Sequence, residues 1–124
     1  MGSDSGIFYH IVGDVLRDRV SRALLFIASG LNVAAWIATF LAQSGESFVP
    51  LHYTIYFGID LTGPSKKLFL LPAAGTVMLV LHTLGAASYK DETWRRAFLG
   101  LVVVIETILG LAITAVLVWA TSRV

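Results

Sequence analysis

Three apolar runs, residues 23–42, 68–88 and 97–120, contain no Lys, Arg or Asp. Runs of about twenty residues match the roughly 30 Å hydrocarbon core of a bilayer at 1.5 Å of helical rise per residue, so the pattern predicts three transmembrane helices. Each run carries one conspicuous polar side chain: Asn32, His82 and Glu106. Ahead of them, Ile7, Phe8, Ile11, Val12, Val15, Leu16 and Val20 recur at helical spacing, opposite a face of His10, Asp14, Arg17 and Asp18. That spacing predicts an amphipathic helix over about 5–20, capped by Ser3, Asp4 or Ser5 and suited to a membrane interface or a partner's groove. The fold class read here is all-α integral membrane: one domain, an amphipathic N-terminal helix, then spans at about 23–42, 65–88 and 97–120.

The connections refine this outline. Gly63 and Pro64 look like N-cap and N1, which starts the second span near 65 and places Pro72 two turns inside it, where a kink is expected. In the long loop, 43–64, Leu51, Tyr53, Ile55 and Phe57 alternate with His52, Thr54 and Tyr56, a short extended segment or hairpin edge ended by Gly58. Phe48, Tyr53, Tyr56 and Phe57 would lie at headgroup depth. The second connection, 89–96, is long enough only for a tight helical hairpin, with Trp94 at one interface and Trp119 at the other.

The first span is thin on two faces. Gly30, Ala34, Ala38 and Ala42 form one ridge of small residues, and Ala28, Asn32, Ala35 and Thr39 form a second stripe. Small residues let helices approach closely, so two such faces imply two sets of neighbours, including another membrane subunit or a second copy of the chain.

Composition agrees with a lipid solvent: 124 residues, 56% hydrophobic, 14% charged, mean hydropathy +0.79. Asp4, Asp14 and Asp18 near the start argue against a cleaved signal peptide, making the first span an uncleaved anchor. The absence of cysteine removes disulfides, thiolate metal sites and cysteine nucleophiles, and a net charge of +1 gives no argument for nucleic acid. Arg17, Arg19, Arg22, Lys90, Arg95 and Arg96 flank one membrane side, against Lys66, Lys67 and Arg123 on the other. By the positive-inside bias, the N-terminus and second loop are expected in the cytoplasm, with the first loop and C-terminus outside.

Glu106 is the costliest residue, because a carboxyl inside a span costs several kcal/mol unless it is neutralised, paired or facing protein or water. Counted from the span ends, Asn32, His82 and Glu106 lie at depths of roughly 15, 9 and 14 Å, so a shared polar cluster is expected. Such a cluster serves as a proton or ion relay, as a contact to a partner subunit, or as a clasp that fixes helix rotation. His82, near Gly75, Gly85 and Ala86, also offers ligand chemistry for a haem or chlorophyll metal, although one His in an apolar helix is more often a hydrogen-bonded core residue. His10, His52 and His82 fall at different depths and cannot share a metal, and no cofactor is expected. No phosphate-binding glycine loop, nucleophile elbow or zinc-protease helix motif occurs, so the chain does not read as an enzyme.

Residues 49–72 contain Pro50, His52, Tyr53, Gly58, Asp60, Gly63, Lys67, Phe69, Leu70 and Pro72 in that order. This resembles a small bacterial membrane domain of unknown function found at the N-terminus of SdpI-type bacteriocin-immunity proteins, with Thr54 where Asn or Asp is usual. The resemblance implies a bacterial cytoplasmic membrane and an ordered extracytoplasmic loop anchored by His52, Tyr53, Gly58 and Asp60. The leading functional expectation is a non-catalytic accessory or assembly subunit of a larger membrane complex. The alternatives are an immunity or envelope-sensing protein and a small proton-coupled carrier using Glu106.

Overall fold

The computed structural model describes residues 4–42, 48–54 and 58–122; the side chains of 4, 5, 7, 8, 11, 48–54, 58–62, 65 and 120 lie outside that description. The elements run α1 (Asp4–Arg17), α2 (Arg19–Ala42), β1 (Phe48–Thr54), β2 (Gly58–Pro64), a 3-10 turn (Ser65–Phe69), α3 (Leu70–Ser88) and α4 (Glu92–Thr121). Three segments, Arg19–Ala42, Lys66–Ser88 and Glu92–Trp119, are long and apolar enough to cross a membrane. Only 22, 17 and 17% of their most apolar windows is buried within the chain, so most of this apolar surface needs a non-aqueous neighbour. Phe26, Phe40, Leu70 and Leu111 are among the large side chains turned outward.

α4 packs along both α2 and α3, and α2 meets α3 across them, so one seam of side chains is common to three helices. Ala28, Asn32, Ala35 and Thr39 of α2 are buried in it, together with Pro72, Gly75 and Ala86 of α3 and Leu99, Val102, Glu106 and Ile113 of α4. α1 docks on one end of the bundle. Its Val15 is buried against Ala86 and Leu99, with Leu24, Leu25 and Phe98 around them.

Several boundaries differ from the sequence reading, each for a local reason. The first span begins at Arg19 rather than 23, because Asp18 ends α1 and caps α2, its carboxylate accepting from the Ser21 amide at 3.1 Å and from the buried Ser21 hydroxyl. α4 begins at Glu92, five residues earlier than expected, because Asp91 accepts from the Thr93 amide at 2.7 Å and nucleates the first turn. The connection between α3 and α4 is thereby cut to three residues, Tyr89, Lys90 and Asp91. Pro64 is the N-cap of the 3-10 turn, one position later than read. Pro72 falls in the first turn of α3 instead of two turns inside a helix. The 3-10 turn runs directly into this α-helix, so the proline, which has no N–H to donate, stands where the 3-10 turn gives way to the α-helix.

Asp18 also ties three elements together. Arg96 of α4 donates from Nε and from a terminal nitrogen to the two Asp18 oxygens, at 2.9 and 2.8 Å, and reaches Glu92 at 3.0 Å. The Arg96 guanidinium, and then the Ser21 hydroxyl, hold the Asp18 carboxyl well below the usual carboxylate range. A carboxylate depressed in the folded state contributes stability that is complete above its unfolded pKa of about 3.9 and declines as pH falls toward the folded value. The Ser21 amide resonance is therefore expected to stay fixed down through pH ~4 and to move only in strong acid. In Asp18→Asn the titration step disappears; a step at an ordinary carboxylate pKa in the unsubstituted protein would refute the lock.

The long loop folds into an antiparallel pair, β1 with β2. Its backbone register pairs His52 with Leu61, Tyr53 with Ile59 and Thr54 with Gly58, with irregularities on both sides of His52. Of the two forms expected, the segment is thus a hairpin edge, and Gly58 opens the second strand. The aromatic side chains expected at headgroup depth, those of Phe48, Tyr53, Tyr56 and Phe57, lie outside the described residues.

Candidate functional site at the three-helix junction

Asn32 and Glu106 meet where α2, α3 and α4 converge, with exposures of 5 and 0%. Asn32 sits on the buried stripe of α2, four residues after Ala28 and three before Ala35, which aims its amide across the seam. Its Nδ2 lies 3.3 and 3.2 Å from the two Glu106 carboxyl oxygens and 3.2 Å from the Pro72 carbonyl of α3. One amide nitrogen with two protons therefore serves acceptors on two other helices.

Thr76 closes the arrangement from α3. Its hydroxyl accepts from the Trp36 indole Nε1 at 3.0 Å and shares its single proton between the Asn32 Oδ1 at 3.0 Å and the Pro72 carbonyl at 2.9 Å. Both hydrogen-bonding ends of the Asn32 amide are thus engaged. Gly75 supplies the space: a Cβ on it would stand 2.7 Å from the Asn32 Nδ2 and 2.8 and 3.0 Å from the Glu106 oxygens. The carboxyl packs directly on the α3 backbone because no side chain intervenes. Among the described residues, no Lys, Arg or His side chain contacts Glu106, so hydrogen bonds rather than a counter-ion satisfy this group.

His82 does not join the cluster. Gly75 is the α3 residue facing Glu106, and seven further residues at 1.5 Å each carry His82 about 10 Å along the helix. The imidazole Nδ1 lies 2.8 Å from the Met78 carbonyl of its own helix, and the ring centroid is 6.1 Å from that of Phe98. A carbonyl can only accept, so Nδ1 donates this bond and Nε2 is the ring nitrogen left for any ligand role. The room foreseen for a macrocycle is nevertheless filled: a Cβ on Gly85 would meet the Phe98 ring at 3.2 Å, Gly75 faces Asn32 and Glu106, and Ala86 is packed against Val15 and Leu99. These residues do not fit a haem or chlorophyll.

Of the two thin faces of α2, the stripe Ala28, Asn32, Ala35 and Thr39 turns inward, and the ridge turns outward. Gly30 and Ala34 are exposed and Ala38 and Ala42 half-buried; a Cβ on Gly30 would meet nothing within 4 Å. Between α2 and α4 this outer ridge lines a groove of about 300 Å³, with Leu31, Ala34 and Ala38 facing Thr107, Gly110 and Thr114. Of the loop anchors, the register pairs His52 with Leu61, Tyr53 with Ile59 and Gly58 with Thr54, and gives Asp60 no opposite residue; the side chains of His52, Tyr53 and Asp60 lie outside the described residues. Trp36, Pro72, Gly75 and Thr76 were not foreseen as members of the junction. The available signal was spacing: Trp36 stands four residues from Asn32 and Thr76 four from Pro72, one helical turn in each case.

No protein-family model, no curated protein and no solved structure matches this chain.

Proposed function

We propose that this is a non-catalytic, three-span membrane protein that works as an assembly subunit, receiving a transmembrane helix of another protein in the groove between α2 and α4. The observation that carries this reading is the second thin face of α2. One small-residue face is used inside the bundle, whereas Ala34 and Ala38 line an open groove opposite Thr107, Gly110 and Thr114. In lipid, helices associate through close packing and hydrogen bonds rather than through expulsion of water, and small residues with nearby hydroxyls supply both. The polar junction fits the same role. Asn32, Glu106 and Thr76 fix the rotation of the three helices and so hold the groove's two walls in register.

The chain has no cysteine, so Ala34→Cys and Ala38→Cys report without background. In native membranes, a short thiol-reactive cross-linker at these positions is expected to join the chain to a different membrane protein, and a cysteine at lipid-facing Phe26 to join far less. Cross-links only between copies of this chain, or equal yields at all three positions, would overturn the reading.

A second reading, an immunity or envelope-sensing role, draws support from the pairing of β1 with β2, in which His52 stands opposite Leu61, the residue that follows Asp60. This arrangement accords with the resemblance to the SdpI-type N-terminal domain and with a loop outside a bacterial cytoplasmic membrane. If it is right, His52→Ala and Asp60→Ala abolish protection against a peptide toxin while leaving the protein's abundance in the membrane unchanged. Undiminished protection in both variants would remove it.

A further inference from the structure

We propose that the basic groove at the α1 end of the bundle binds the phosphate of an anionic lipid headgroup. The groove, about 610 Å³, runs between the α1–α2 turn and the start of α4. Arg17, Arg19, Lys90, Arg95 and Arg96 contribute cations to its wall, against the carboxylates of Asp14, Asp18 and Glu92. Two of those carboxylates, Asp18 and Glu92, are already spent on Arg96. Arg17, Arg19, Lys90 and Arg95 then face the single carboxylate of Asp14.

Arg95 distinguishes this groove from an ordinary basic surface. It is 6% exposed, and its two terminal nitrogens donate to the backbone carbonyls of Asp14 and Lys90 at 2.8 and 3.2 Å. Its buried Nε has no partner among the described residues. Neutral carbonyls fix the guanidinium in place but leave its charge uncompensated, and an uncompensated buried charge is costly unless an anion lies close by. Around it, Arg17, Arg19 and Lys90 are exposed and in no ion pair among the described residues. Their flexible stems can close on a phosphate held over the Arg95 wall.

The choice of a lipid rather than a soluble anion rests on depth. Tyr89 and Trp94 lie at the same end, their ring centroids 6.3 Å apart, with exposures of 43 and 58%. Exposed Tyr and Trp beside long apolar helices mark the headgroup layer, where lipid phosphates are concentrated. α1, docked through Val15 beside the groove, lies at the same level.

The test uses the full chain reconstituted in bilayers of phosphatidylcholine and phosphatidylglycerol, extracted gently and weighed by native mass spectrometry. The protein is expected to retain phosphatidylglycerol in preference to phosphatidylcholine. The double variant Arg17→Gln with Lys90→Gln, at two exposed positions, lowers that preference about thirtyfold, as two interfacial cations at about fivefold each would give. The control variant Lys66→Gln with Lys67→Gln, at the opposite end, leaves it unchanged. Equal retention of both lipids overturns the proposal, as does an equal loss in the control, which would reduce the effect to unspecific charge. Displacement of the bound lipid by millimolar inorganic phosphate also overturns it, by showing a site for the free anion.

Discussion

Asn32→Leu is expected to destabilise the protein by about 2–3 kcal/mol, whereas Glu106→Met, at the other end of the same hydrogen bonds, costs less than about 1 kcal/mol. The asymmetry follows from what each change strands. Asn32 Nδ2 is the donor that both Glu106 oxygens share, and leucine has nearly the shape of asparagine without its polar atoms. The substitution therefore leaves a fully buried carboxyl without its partner, in whichever protonation state it adopts. Methionine at 106 removes the costly group itself, and the Asn32 amide keeps the Pro72 carbonyl and the Thr76 hydroxyl. In the Glu106→Met background, Asn32→Leu is expected to lose most of its effect, giving a coupling of about 1–2 kcal/mol in a double-mutant cycle. Unfolding in mixed micelles, followed by helicity, measures all three differences. If Glu106→Met proves as damaging as Asn32→Leu, the carboxyl does more than lock the helices, and the carrier reading regains ground.

What was legible in the sequence followed from cost. The three spans could be read because about twenty residues without a cation have few other solvents, and Glu106 could be read because an isolated carboxyl there demands a partner. Pairing it with Asn32 was also legible, since both lie near mid-span. His82 was misplaced because depth measured from span ends ignores register. The caps at Asp18 and Asp91 lengthen α2 and α4, and the three-residue connection sets Gly85 against Phe98 and Gly75 against Glu106. Those capping side chains lie outside the apolar runs and so carried no weight in a count of apolar length. The two thin faces of α2 were visible as well, but spacing alone did not say which one turns inward; their difference in polarity accounts for the outcome. Asn32 and Thr39 belong to the buried stripe, and the ridge of Gly30, Ala34, Ala38 and Ala42 has no hydrogen-bonding side chain to satisfy. Trp36 and Thr76 were hidden for the opposite reason: both are common, inexpensive residues in such helices, and only the contact itself distinguishes them.

Gly75→Ala tests that contact with the smallest possible probe. In an exposed helix interior the same change stabilises by about 1 kcal/mol, because alanine restricts the unfolded chain and favours the helix. Here the added methyl carbon would stand 2.7 Å from the Asn32 Nδ2 and 2.8 Å from a Glu106 oxygen, distances at which something must move. The side-chain ends that would have to yield are held by bonds to Pro72 and Thr76, so yielding breaks the network instead of merely rotating a free group. The expected outcome is a reversal of sign, a loss of about 1–3 kcal/mol, as for overpacking in a well-filled core. Gly30→Ala, on the outer ridge with nothing within 4 Å of the new carbon, is expected to be neutral or stabilising in the same assay. Combining Gly75→Ala with Asn32→Ala, which clears the nearer obstacle, should cost less than the sum of the two single changes. Strict additivity would mean that Gly75 and Asn32 do not share the space assigned to them, and the close approach of α3 to the Glu106 carboxyl would then need another cause.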